Sequence, residues 1–188
     1  MTPSLTDTLC TQCGLCCDGS LFADVELTGR KEAVRLEAMG IEIEEDESSG
    51  AQLLQPCTAL RGRRCTIYEH RPQCCRTFEC RLLQEVRRGA VGVEQAKEQI
   101  AEALRRIGRV KDLLAQLGQH DRRLPLAESC AEALAEDTDA DPNVNRRRDE
   151  LEAAMSAVEE LIQKTFLAEA KPPLAAVNDG QESFPRRS

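Results

Sequence analysis

The chain has 188 residues and a formal net charge of −8, with 3% aromatic residues, no Trp and one Tyr. That acidic balance argues against a general nucleic-acid binder, which needs a cationic footprint, and the shortage of rings argues against a base-stacking platform. No run approaches the apolar length that a membrane span requires.

The opening residues, "MTPSLTDTLC", carry neither a basic n-region nor an apolar h-region. The expectation is a cytoplasmic protein in a reducing compartment, where clustered cysteines serve metals or catalysis more than disulfides. There are ten cysteines, and nine lie at or before Cys80, with only Cys130 beyond. The sulfur belongs to an N-terminal module.

In chain order, "CTQCGLCC" (Cys10–Cys17) comes first, and a tight turn is expected to bring its C-x2-C sulfurs onto one side. "LFADVEL" alternates apolar and polar residues as a strand does. Thr28 offers an N-cap for a short helix that buries Val34, Leu36 and Met39 and stops at Gly40. "IEIEEDESSGAQLLQPC" reads as two strands around an acidic turn. Gly62 in "LRGRRC" marks a tight turn, which sets Cys57 and Cys65 facing each other across a hairpin-like loop. Pro72 breaks the chain before a helix holding Phe78, Leu82, Leu83 and Val86.

From Ala90 the pattern changes. Val93, Ala96, Ile100, Leu104, Ile107, Lys111, Leu114 and Leu117 advance by three and four, as one stripe of a long helix does. A shorter segment follows around Leu124–Leu134. Asp141 then caps and Pro142 opens a second long helix striped by Leu151, Met155, Val158, Ile162 and Phe166. The two stripes pack most simply antiparallel. The expected class is α+β: a cysteine-cluster metal-binding domain over 1–88, a helical hairpin or bundle over 89–167, and a disordered tail over 168–188.

A lobe of some eighty residues with few large apolar side chains is marginal alone, and metal ligation can supply the deficit. The step Cys10, Cys13, Cys16 matches the C-x2-C-x2-C run of bacterial ferredoxins, but Cys17 follows at once where a ferredoxin has C-x3-C-P. Adjacent side chains tend to point apart. Cys16 and Cys17 therefore feed two centres, or one of them stands behind the other's ligand set. Cys57, Cys65, Cys74, Cys75 and Cys80 supply further thiols, enough for two four-coordinate sites or one cluster with spare sulfur. Arg71, Arg76 and Arg81 flank the last of them and can offset a negatively charged centre.

"CTQCGLCC", a later "PC", and "CTIYEHRPQCCRTFEC" together resemble the YkgJ-type cysteine-cluster family, a zinc- or iron-chelating CxxCxxCC domain. The resemblance covers about the first eighty residues. It implies Cys10, Cys13, Cys16, Cys17, Cys57, Cys65, Cys75 and Cys80 as metal ligands, with Tyr68, Arg71, Pro72, Arg76 and Phe78 as accompanying positions. Of these, Tyr68, Arg71 and Arg76 are expected to surround the ligands. Cys74 and Cys130 fall outside the pattern. A similar domain occurs in flagellin lysine N-methylases, but this chain has no Gly-rich strand-to-helix turn to hold S-adenosylmethionine.

The reading is a metal-binding protein holding an iron–sulfur cluster or zinc, with the C-x2-C-x2-C run leaning toward iron–sulfur. Two alternatives stand beside it. One is an iron–sulfur electron-transfer or protein-modifying component; the other is a zinc-stabilised module whose helical half meets a protein partner. His70 and His120 are the only histidines. No Ser–His–Asp, H-E-x-x-H or phosphate-loop pattern accompanies them, so no catalytic residue is assigned.

Overall fold

The computed structural model describes residues 4–46, 50–135 and 141–167. The first helix, α1 (Leu5–Cys13), starts at Ser4. The Ser4 hydroxyl accepts from the Asp7 amide at 3.1 Å, and the Asp7 carboxylate accepts from the Ser4 amide at 3.3 Å. This reciprocal capping box satisfies donors that a helix start leaves open. Gly14, at φ +74°, ends the helix by adopting the left-handed conformation that costs glycine least. The C-x2-C step of Cys10 and Cys13 is thus one helical turn rather than the tight turn expected, and the i, i+3 spacing puts both on one face.

β1 (Asp24–Glu26), β2 (Ile43–Asp46) and β3 (Gly50–Leu54) form an antiparallel sheet in the order β1-β3-β2. Leu53 lies opposite Val25 on one side and Ile43 on the other, so one apolar row crosses the sheet. The acidic turn expected between β2 and β3, residues 47–49, lies outside the described residues.

Between β1 and β2 runs α2 (Arg30–Glu37), which starts at Gly29 rather than at Thr28. The Thr28 amide and hydroxyl donate instead to the Glu32 carboxylate, at 3.1 and 2.6 Å. Leu36 is buried as expected, but Val34 is 53% exposed and Ala33 takes its place inside.

β4 (Leu60–Arg61) and β5 (Arg64–Cys65) make a two-residue hairpin around Gly62 and Arg63. Cys65 pairs with Leu60; Cys57 lies just before the hairpin rather than opposite Cys65 within it. A 3-10 turn (Tyr68–His70) leads to α3 (Gln73–Thr77) and α4 (Arg81–Arg87). The single helix expected after Pro72 is therefore two. Phe78 stands extended between them, 40% exposed, with its ring edge-to-face on Phe22 at 5.2 Å.

The long helices are α5 (Val93–Gln116) and α7 (Pro142–Thr165), with α6 (Leu126–Ala135) beside them. Asp141 caps α7 by accepting from the Asn143 amide at 2.9 Å. Arg109, late on α5, pairs with Glu150, early on α7, at 3.0 Å, as an antiparallel arrangement requires. Lys111 is off the buried stripe: Val110 and Leu114 fill that turn, while Lys111 reaches Asp18 at 3.2 Å. The expected disordered tail, 168–188, lies outside the described residues.

Two apolar clusters hold these parts. The larger joins Leu9 of α1 and Leu82, Leu83 and Val86 of α4 to Ile100, Val110, Leu151, Val158 and Phe166. Helices on both sides of residue 88 therefore share a core. The smaller gathers Leu36, Ile41, Leu53 and Ala59 under the sheet. Among the described residues the architecture is α+β, with seven α-helices and short antiparallel strands.

Candidate metal centre

All ten cysteines are free thiols. Cys10 and Cys13 project from α1, and Cys16 and Cys17 from the turn that follows it. Cys57 precedes the β4–β5 hairpin, Cys65 ends it, Cys75 sits on α3, and Cys80 is the N-cap of α4. Residues far apart in sequence meet here. Cys10, Cys13, Cys16, Cys17, Cys65, Cys75 and Cys80 line one open cleft of about 1020 Å³. Cys57 does not line it, but its amide donates to the Cys17 carbonyl at 2.8 Å.

The thiols divide between the two apolar clusters. Cys10, Cys13 and Cys80 pack against the larger one, and Cys57, Cys65 and Cys75 against the smaller. Their electrostatic neighbours fall the same way. Burial pushes the Cys10 thiol up to about 11, and the Cys80 thiol adds to it. Burial pushes Cys13 up to about 12, with Cys80 and Cys10 adding. Cys16 is held well above its ordinary value by burial and then by Cys13, Cys17, Cys80 and Cys10. Cys17 is pushed up to about 12 by burial and then by Cys57 and Cys65. Neutral thiols are what this environment favours, so a cation must displace protons to bind.

Backbone amides are aimed at several sulfurs. The Leu15 amide near Cys13, the Ala59 and Leu60 amides near Cys57, and the Leu83 and Leu82 amides near Cys80 each pull the thiol's pKa down against the rise that burial causes. Amide N–H groups near a sulfur favour its thiolate, and such dipoles tune the metal centres they surround. The donor comes two or three residues after the cysteine each time. For Cys13 the intervening Gly14 provides the turn, and for Cys80 the open first turn of α4 provides the amides.

The donor set fits a thiophilic cation: soft sulfur ligands, partly buried, with amides placed to take up negative charge. Among the described residues no three Cys, His, Asp or Glu side chains are gathered tightly enough to hold an ion as they stand.

The surrounding residues divide. Arg71 lies with its guanidinium 3.7 Å from the Tyr68 ring centroid, and its Nε donates to the Tyr68 carbonyl at 2.9 Å. Its charge lowers the pKa of both Cys10 and Cys17. Burial pushes the Tyr68 phenol up, Arg71 pulls it down, and Asp7 pushes it up further. Arg76 lines the cleft but is exposed. Arg81 is engaged with Glu85 at 3.0 Å, and its amide donates to the Phe166 carbonyl at 2.8 Å. His70 and His120 are exposed and line no part of the cleft.

Two features of the site escaped the sequence reading. One is the capping box that orients Cys10 and Cys13, which Ser4-x-x-Asp7 does signal. The other is the position of Cys74, set outside the family pattern by its spacing, which nonetheless lines the cleft. The neighbouring Cys75 thiol pulls the Cys74 thiol down to about 7.

Neither the curated proteins nor the solved structures provide a match. A family model does, over residues 9–103, just over half of the chain; its description is "CxxCxxCC: Putative zinc- or iron-chelating domain". The matched stretch contains every thiol of the cleft and continues into α5. The chain belongs to the CxxCxxCC family of zinc- or iron-chelating domains.

Proposed function

We propose that Cys10, Cys13, Cys16, Cys17, Cys57, Cys65, Cys75 and Cys80 bind metal as thiolates, and that the resident metal is iron in an iron–sulfur centre in preference to zinc. The observation that carries this is the meeting of thiols from α1, the hairpin, α3 and the α4 start around one cleft. The C-x2-C-x2-C run supports iron–sulfur over a simple zinc knuckle. Tyr68, Arg71 and Arg76 surround the centre, and residues 1–88 act as the metal-binding unit with the helices as its support. Ten free thiols accord with a reducing, cytoplasmic setting.

The test is anaerobic purification followed by metal and sulfide analysis and a visible spectrum. Brown, oxygen-sensitive protein with iron and acid-labile sulfide is expected. Colourless protein with stoichiometric zinc would transfer the reading to zinc, and folded protein that takes up neither metal would defeat it.

A second reading adds electron transfer, because the thiols line an open cleft that a redox partner can approach. Reversible bleaching of the visible bands by a chemical reductant is the expected result.

A further inference from the structure

We propose that the eight thiols form two separate four-thiolate sites, Cys10, Cys13, Cys16 and Cys80 in one and Cys17, Cys57, Cys65 and Cys75 in the other, joined through the Cys16–Cys17 peptide bond. The proposal rests on the metal-binding reading above and assigns which thiols share a centre.

Packing separates the eight thiols. Three thiols lean on the helical core and three on the core beneath the sheet, with none common to both. Each trio lacks one ligand for the four-coordinate geometry that thiolate sites adopt. Cys16 and Cys17 are the two that remain, packed on neither cluster. Consecutive side chains diverge, so one cannot easily join the other's trio. The Cys57 amide bonded to the Cys17 carbonyl ties Cys17 to the sheet-side group. The electrostatic neighbours of Cys16 are Cys13, Cys80 and Cys10 besides Cys17 itself, whereas Cys17 feels Cys57 and Cys65.

Each site would take one thiophilic cation, or one cluster, with a sulfur from every member. Binding a dication to four thiols releases four protons, which leaves a centre of charge −2. The amides on Cys13 and Cys80 serve the first site, and those on Cys57 serve the second. Arg71, whose charge reaches Cys10 and Cys17, is placed to offset both.

The experiment titrates the full-length metal-free chain with cobalt(II) alone, anaerobically, reading the thiolate-to-cobalt absorption. Alkylation and mass spectrometry at each step identify the protected thiols. Two equivalents are expected, with protection appearing in fours that match the two sets and with Cys74 remaining labelled. Cys16→Ala and Cys80→Ala should each lose one equivalent, and the double variant no more than that. Cys16→Ala combined with Cys65→Ala should lose both. One equivalent protecting thiols drawn from both sets would overturn the division while leaving metal binding intact. A chain that binds no cobalt would overturn both readings. The protection pattern of the unaltered chain decides the matter even if a variant fails to fold.

Discussion

The Cys57 amide donates to the Cys17 carbonyl across 2.8 Å, so the turn after α1 is fastened to the chain leaving the sheet by backbone alone. Side-chain substitution at either residue leaves that tie in place. Cys17→Ala and Cys57→Ala should therefore cost metal without unfolding the lobe. Circular dichroism close to the parent's, with metal content reduced, is the expected result.

The metal-free chain should lose stability in alkali. Cys10, Cys13 and Cys17 are raised from an ordinary value of 9.0 to about 11, about 12 and about 12. A raised folded-state value means that keeping these thiols neutral contributes fully below pH 9 and is lost as pH climbs toward 11 and 12. The urea midpoint of apoprotein should fall across that window. Metal-loaded protein should show the reverse sensitivity, releasing metal as acid returns protons to sulfur.

Removing the start of α1 should reach the thiols. Ser4→Ala deletes the cap, a loss of about 1 kcal/mol at a helix N-terminus. Cys10 and Cys13 lie six and nine residues further on, about two turns along the same helix. Thermal unfolding should report the lower stability, and cobalt should dissociate faster from the set containing those residues than from the other.

Gly19 should not tolerate a side chain. Its φ is +75°, and a Cβ would come within 3.1 Å of Pro125 Cα and 3.3 Å of the Pro56 ring. The left-handed conformation alone costs a larger residue about 1–2 kcal/mol. Since the Gly19 carbonyl also accepts the Leu126 amide at 2.9 Å, Gly19→Ala should loosen the seat of α6 on the cysteine lobe. Urea denaturation should show a loss beyond that backbone cost, because the Pro125 contact is with main chain.

A core substitution distant from sulfur should also matter. Leu151 is fully buried in the larger cluster, and Leu151→Ala should cost about 2–5 kcal/mol. Cys10, Cys13 and Cys80 pack on that same cluster. Metal retention should weaken there while the sheet-side thiols hold theirs, measured as differential alkylation.

Long periodic segments were the most readable part of the sequence, because a stripe sustained over 24 residues has few competing explanations. The error inside them was local. Counting by fours carries Lys111 into the stripe, whereas the 3.6-residue turn brings Val110 there. The division of α3 from α4 at Phe78 had no Pro or Gly to announce it; the Phe22 ring, distant in sequence, holds that break. That the N-terminal thiols gather was legible from their crowding into the first eighty residues. Their distribution between two cores was not, because it depends on packing of the sheet against α2 and of α1 against α5, which no local pattern encodes.

The carbonyl of Phe166 receives the amide of Arg81, the residue directly after Cys80. The end of α7 thus fastens the backbone beside the Cys80 thiol. Excising the recognisable stretch 9–103 would retain nine cysteines, yet it would strip away this brace and lay the greasy flank of α5 open to water. The helices are better regarded as a splint for the sulfur-bearing half than as an appendage to it.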